Sequence, residues 1–532
     1  MSLDHTTPYP SQRMPVMARN VVATSQPLAA QAGLRALQRG GNAVDAAIAA
    51  AAVLTVVEPT GNGLGSDAFA LVWDGARLHG LNASGRSPRT LTPERFAGRD
   101  AMPYHGWDTV TVPGAVSGWV ALHERFAALP FADLLADAVR YADEGFAVSP
   151  LIARGWRMSQ RAFADHPDWQ RDFAPAGRTP EAGSLWRFPA QARSLERIAE
   201  SAGEAFYRGV LADAMVQHAR AHGALLAHDD LAEHRADWVE PIATRYQEHA
   251  LHEIPPNGQG LAALIALGIL RHRPDLREHP LDSAPWLHLQ IEAMKLALAD
   301  AERWIADPAH MHEVRVGDLL DDGYLAARAQ WIDPSRAGDP GHGDPRPGGT
   351  VYLATADAAG RMVSFIQSNY AGFGSGVVVP DTGISLQNRG AGFVLTPGHP
   401  NRVGGGKRPF HTIIPGFLTD VDGARCAFGV MGGMMQAQGH VQMTLRMLDH
   451  RQNPQAASDA PRWRVTGGLG VALEAGTPDG VAQALVDMGH RVERSAPDMS
   501  FGFGGAQLVW RDDHGGYVAG SDHRKDGQAV GY

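Results

Sequence analysis

Thr350 stands where two unlike stretches meet. Before it runs Asp339 to Gly349, DPGHGDPRPGG, a segment of Pro, Gly, His and Asp with almost nothing to bury, which is the composition of a flexible linker. After it, Thr350-Val351-Tyr352-Leu353-Ala354-Thr355-Ala356 reads as a buried strand. A threonine hydroxyl is a weak nucleophile, and no histidine neighbours it in sequence to activate it. Cleavage between Gly349 and Thr350 would supply the missing base, because a freed α-amine has a reference pKa of about 7.7 to 8.0. A base near the working pH is what general-base catalysis favours. The chemistry implied is amide hydrolysis or acyl transfer through an ester on Thr350.

Other groupings offer less. His288 and Glu292 share a helical face at i,i+4, the spacing of a metal pair, but lack the His-Glu-x-x-His pattern and are read as packing residues. His310 and His312 beside an acidic loop fare no better. Gly404-Gly405-Gly406-Lys407 lacks both the Walker spacing and the Ser or Thr after Lys, and Gly61-Asn62-Gly63-Leu64-Gly65 precedes a strand rather than a helix. Neither a metal nor a nucleotide cofactor is implied. The lone Cys426 excludes an internal disulfide and a cysteine-based zinc site.

The elements that must carry Thr350 belong to a chain of 532 residues, enough for two to four structural units. With 44% hydrophobic and 20% charged residues it has the balance of a folded protein. Its 47 Lys and Arg against 57 Asp and Glu leave a net charge of −10, which would repel a phosphate backbone and disfavours nucleic acid as a partner. Met1 to Asn20 carries no apolar core of signal-peptide length, so a cytoplasmic location is expected. The apolar run Ala43 to Val57 is short, mostly alanine and interrupted by Asp45, a buried helix rather than a membrane span.

Val21–Thr24 reads as a strand, Pro27 opens a helix that Gly40-Gly41 closes, and Asn42 caps the alanine-rich helix after it. Ala68–Trp73, Arg77–Leu81 and Val110–Val112 read as strands, whereas Ala115–Ala127, Ala132–Glu144, Leu195–Ser201 and Trp286–Ile305 read as helices. Beyond residue 349 strands dominate: Met362–Gln367, Gly376–Val379, Ile413–Leu418 and Ala427–Met431. Glycine, 61 residues against a roughly 7% average, gathers in clusters that call for tight turns or close backbone approach.

From about residue 20 onward the chain resembles the gamma-glutamyltranspeptidase family. The resemblance rests on ATSQPLAAQAGLRALQRGGNAVDAAIAAA (23–51), TVTVPGAVSGW (109–119), FYRG (206–209), IPPNGQG (254–260), GFGSGVVVPDTGISLQN (372–388), KRPFHTIIP (407–415) and GVMGGMMQAQGH (429–440). It implies the four-layer αββα sandwich of the N-terminal-nucleophile hydrolases. It also implies a precursor that cuts itself into a helix-rich large subunit, 1–349, and a strand-rich small one, 350–532. By motif position the nucleophile falls on Thr350, the hydroxyl that hydrogen-bonds it on Ser368, and the oxyanion-hole amides on Gly432 and Gly433. Ser368 replaces the family's usual threonine and keeps its donor and acceptor.

The pocket departs from the family pattern. The arginine that holds a glutamyl α-carboxylate is replaced by Ser84, the aspartate that holds the α-amino group by Gly392, the paired serines by His411 and Thr412, and the pocket asparagine by Tyr370. A charge-assisted contact is typically worth about 1.5 to 3 kcal/mol, so losing two weakens recognition of a glutamyl zwitterion. Arg86, Arg389 and His411 remain as candidate anion partners. A small carboxylated amide suits such a pocket, and the segments LNASGR and KRPFHT resemble the oxamate amidohydrolase type. A gamma-glutamyl hydrolase or transpeptidase and a cephalosporin (glutaryl) acylase are the alternatives. The partners expected are a small-molecule substrate and the two subunits of one precursor, with no nucleic acid and no membrane, and an assembly as a homodimer of heterodimers left open.

Overall fold

The computed structural model describes residues 12–340, 349–496 and 502–532. Two seven-stranded sheets, antiparallel throughout, lie face to face. One runs Gln528–Gly531, Val21–Thr24, Gly349–Ala356, Met362–Tyr370, Asp67–Trp73, Leu78–Ala83 and Asp237–Val239. The other runs Val16–Ala18, Tyr517–Ser521, Ala506–Arg511, Gly423–Val430, Gly416–Asp420, His249–Glu253 and Ile242–Tyr246.

Side-chain alternation along the strands builds the layers. In Gly349–Ala356, Val351 and Leu353 point into a helical core, whereas Tyr352, Ala354 and Ala356 point into the core between the sheets. In the second sheet Leu418, Phe428 and Leu508 face the other helical layer, and Phe417, Ala427 and Val509 face inward. The result is the αββα sandwich.

The first helical layer is anchored by Ala43–Val57, in which all fifteen residues are buried. Asn42 and Asp45 form a reciprocal capping box at its start, a feature typically worth about 1 kcal/mol. The second layer is built from Gly260–Arg271, Ala284–Trp304 and Met435–Leu448. Among the described residues fourteen α-helices precede Gly349 and three follow it. Both sheets nevertheless draw strands from either side of Thr350, so residues before and after it form one interleaved fold. No helix among the described residues is long and apolar enough to cross a membrane.

Two readings need correction. Val110–Val112 is not a strand: it is a buried, extended segment whose Val112 N–H donates to Arg86 O at 2.9 Å, pinning a loop rather than extending a sheet. The strand expected at Ile413–Leu418 starts only at Gly416, because Ile413 and Ile414 hydrogen-bond to His411 and Gln436 side chains instead of a ladder. Most of the linker before Thr350, 341–348, lies outside the described residues.

Candidate active site

Thr350 is the second residue of its strand and is buried at the end of the inter-sheet layer. The ladder slips beside it: Gly349 pairs with Tyr370 but Val351 with Gln367, so Ser368 and Asn369 oppose Thr350 alone. Such a bulge re-aims side chains. Here the Thr350 hydroxyl donates to Ser368 Oγ at 3.2 Å, and the Tyr370 N–H donates to the same oxygen at 2.8 Å. Gly61 lies against the Thr350 backbone, where a β-carbon would come within 3.2 Å of Thr350 O. That close approach accounts for one of the glycine clusters.

Across the sandwich, Gly423–Val430 ends in Met431-Gly432-Gly433, and Met435–Leu448 follows. Gly432 and Gly433 have φ of 117° and 62°, a left-handed region that favours glycine. Neither amide N–H has a hydrogen-bond partner among the described residues. Both precede the N-terminus of a fourteen-residue helix, whose dipole favours negative charge there. Gln436, in the first turn, donates to Thr350 Oγ1 at 3.5 Å and accepts from the Ile414 N–H at 2.9 Å. Gln259 Nε2 donates to Gly433 O at 2.9 Å and also to Thr412 O, tying the glycine turn to the neighbouring segment.

Arg389 is 1% exposed. One of its nitrogens, Nη1, donates to Thr412 Oγ1 at 2.8 Å, and its guanidinium lies 4.8 Å from the centroid of the Tyr370 ring. Its Nε and Nη2 have no hydrogen-bond partner among the described residues. Burial draws the guanidinium down to about 10, with Asp67 opposing, so it stays charged at neutral pH. Tyr370 holds a φ of 76° and, with Gly392, Phe393, Phe410, Met434 and Val465, lines a cavity of about 340 Å³.

Asp67 escaped the sequence reading. Its Oδ1 accepts from the Gly85 and Gly114 amides at 3.2 and 3.1 Å, and its Oδ2 lies 3.1 Å from His411 Nε2. Burial pushes its carboxyl up to about 7, against the pull of Arg389. The available signal was a lone acid at the head of the apolar strand Asp67–Trp73. Gln436, Gln259 and Asn257 were also missed, although all three lie within quoted motifs as polar residues among apolar ones.

The remaining candidates separate. His411 is fully buried, its Nδ1 accepts from the Ile413 N–H at 3.4 Å, and its Nε2 is engaged by Asp67. Burial and the nearby arginines hold it well below the usual histidine range, so it is a neutral support for Asp67 rather than a cationic anion partner. Ser84 bonds to Asn82 Oδ1 at 2.7 Å within a buried Asn82–Ser84–Asn257 cluster. Arg86 is not brought to the site: it is 45% exposed and paired with Asp307 at 2.8 Å, away from the cavity at Tyr370. His288 and Glu292 join His490 in one buried group, in which Lys295 Nζ lies 2.8 Å from Glu292 Oε1 and 3.4 Å from His490 Nδ1. The ammonium pairs with the one carboxylate that a metal would need, and both His288 nitrogens are engaged by His490 and Asp333 O.

A polar chain therefore links a buried hydroxyl, a glycine turn with two uncommitted amides and a buried guanidinium, a combination suited to acyl transfer from an anionic amide. Comparison with known proteins agrees with that chemistry. An oxamate amidohydrolase proenzyme of Klebsiella pneumoniae is 37% identical over 95% of this chain and 97% of its own. A glutathione hydrolase-like YwrD proenzyme of Bacillus subtilis (strain 168) is 36% identical over 97% of this chain and 100% of its own. The crystal structure of cephalosporin acylase from Bacillus halodurans superposes with a TM-score of 0.95 at 48% identity, over 100% of this chain and 99% of that one. The gamma-glutamyltranspeptidase family model matches residues 29–532, and the chain belongs to that family of amidohydrolases.

Proposed function

We propose that the chain is an autoprocessing N-terminal-threonine amidohydrolase that hydrolyses a small carboxylated amide such as oxamate. The observation that carries this reading is Arg389, a buried cation with two nitrogens left without a hydrogen-bond partner among the described residues. Buried donors are costly unless paired, and a substrate carboxylate pairs them. In the proposed cycle, cleavage after Gly349 frees the Thr350 amine, which takes the hydroxyl proton as oxygen attacks the amide carbon. The Gly432 and Gly433 amides receive the oxyanion, Ser368 orients the nucleophile, and the proton passes to the leaving amine. Water then cleaves the acyl ester by the same route.

A second reading has its own support. The cavity beside Tyr370 is walled by Phe393, Phe410, Met434 and Val465, which gives apolar room for a larger group and favours a glutaryl amide of the cephalosporin acylase kind. The test is kcat/KM for oxamate, a glutaryl anilide and a gamma-glutamyl anilide, the last with and without glycylglycine. Oxamate is expected to lead, with no acceleration by dipeptide. A 100-fold preference for the glutaryl compound establishes the second reading. The same preference for the glutamyl compound, raised further by dipeptide, restores a transpeptidase.

A further inference from the structure

The helix Val210–Ala221 is capped by His222, so His218 and His222 stand one turn apart at i,i+4. Facing them is Asp168 of the helix Pro167–Phe173. One ligand atom from each of the three residues lies within 4.8 Å of the other two. We propose that Asp168, His218 and His222 form a binding site for a divalent transition-metal ion of the zinc type, separate from the site at Thr350.

The surroundings prepare each ligand. His222 Nδ1 donates to the His218 carbonyl at 2.9 Å, which fixes the tautomer and leaves the Nε2 lone pair for a metal. Arg171 Nη1 holds Asp168 Oδ1 at 2.9 Å, so Oδ2 is the oxygen that turns toward His218, at 2.9 Å from its Nε2. Without an ion the His218 Nε2–H donates to that oxygen, and a metal bound there would displace this proton. Two imidazoles and one carboxylate suit zinc, and the exposure of His222 leaves room for water to complete a four-coordinate shell. The His288–Glu292–His490 group differs in being buried throughout, which leaves no solvent face for water to complete a shell. An ion at Asp168 would clip two helices together. Trp169 of the first helix packs on Phe163 and edge-on to Phe373, in the loop just after Tyr370, so the clip would brace a wall near the cavity.

The test is calorimetric titration of the chelator-treated full chain with zinc chloride, paired with melting curves with and without the ion. Wild type is expected to show one tightest site per chain and a rise in Tm on loading. His222→Ala and Asp168→Asn should each weaken that site about tenfold or more and lose the Tm rise, since even an outer-shell change typically costs 10- to 100-fold. His310→Ala, at an exposed histidine elsewhere, should leave both readouts unchanged. Equal affinity in wild type and in either of the first two variants, or no saturable binding in wild type, overturns the proposal. His222 is exposed, and retained amidase activity in His222→Ala will show that the fold is intact.

Discussion

Replacing Arg389 by methionine separates a substrate anchor from a structural cation. Two of its donors, Nε and Nη2, are uncommitted, and a charge-assisted hydrogen bond is worth about 1.5 to 3 kcal/mol. Loss of about 3 kcal/mol of carboxylate pairing lowers kcat/KM for oxamate about 100-fold, at 1.4 kcal/mol per decade. The contact is made in ground and transition states alike, so the loss falls on KM while kcat stays near its normal value. Folding should suffer little. Methionine keeps an apolar stem against Tyr370, and Asp67, already raised to about 7, can protonate once its neighbouring cation is gone. Removing a buried charge whose counter-charge can neutralise itself is often neutral or stabilising. The assay is steady-state hydrolysis of oxamate beside a melting curve. An unchanged KM together with a destabilisation of about 3 to 5 kcal/mol, the scale for breaking a buried ion pair, would refute the anchor role. Arg389→Lys, which keeps the charge but loses the fork, should recover only part of the affinity.

Four further outcomes are expected. Thr350→Ala should run as one full-length band on denaturing gels and be inactive, whereas Thr350→Ser should split and retain partial activity. Gly432→Ala places a β-carbon 3.0 Å from Gly504 Cα at a φ of 117°, and kcat should fall about 10²- to 10³-fold as an oxyanion donor is displaced; a near-normal kcat would reduce the pair to a turn. Arg86→Ala should change kcat/KM by less than about twofold, because Arg86 is exposed and the buried Asp307 keeps the hydrogen bonds donated by the Arg408 and Ala309 amides. For an anionic amide, KM should rise as pH climbs through about 7, since Asp67 ionises there and competes for the field of Arg389, and Asp67→Asn should flatten that rise. Its folded value lies above the ordinary carboxylate one, so the contribution of Asp67 to stability is fully present below about pH 4 and is lost as pH rises to about 7.

The framework was legible because it follows from local rules. Val21–Thr24 alternates as a strand, Asn42 and Asp45 cap a helix, and the apolar run they start is long enough to bury on every side. The strand Gly349–Ala356 was legible because linker composition changes abruptly to strand pattern there. Partners set by tertiary packing were not. Asp67 is brought to His411, 344 positions away, by strand pairing and sheet packing that no local window contains. Arg86 and Arg389 were equivalent on paper, and only burial divides them, at 45% side-chain exposure for one against 1% for the other residue. Val110–Val112 has a strand's composition but no neighbouring edge to pair with.

Within the proposed function, burial explains how a pocket without the two anchors that the family resemblance implies would still hold an anion. At Gly392, where the resemblance implies an aspartate, a β-carbon would come within 2.6 Å of Phe410 O, so a side chain does not fit there without moving the backbone. Ser84, where the resemblance implies an arginine, has its hydroxyl consumed by Asn82 and Asn257. Positive charge is instead supplied from Arg389, three residues before Gly392 on the same short helical turn, with Tyr370 beneath it and Thr412 fixing one nitrogen. A cation buried this way binds a carboxylate strongly only when the ligand is small enough to enter and bring its amide carbon toward Thr350. Within the proposed cycle, size and charge select the substrate together. The missing amine anchor then counts against a glutamyl zwitterion, because its ammonium would be desolvated near Arg389 without the carboxylate at position 392 that the family pattern provides.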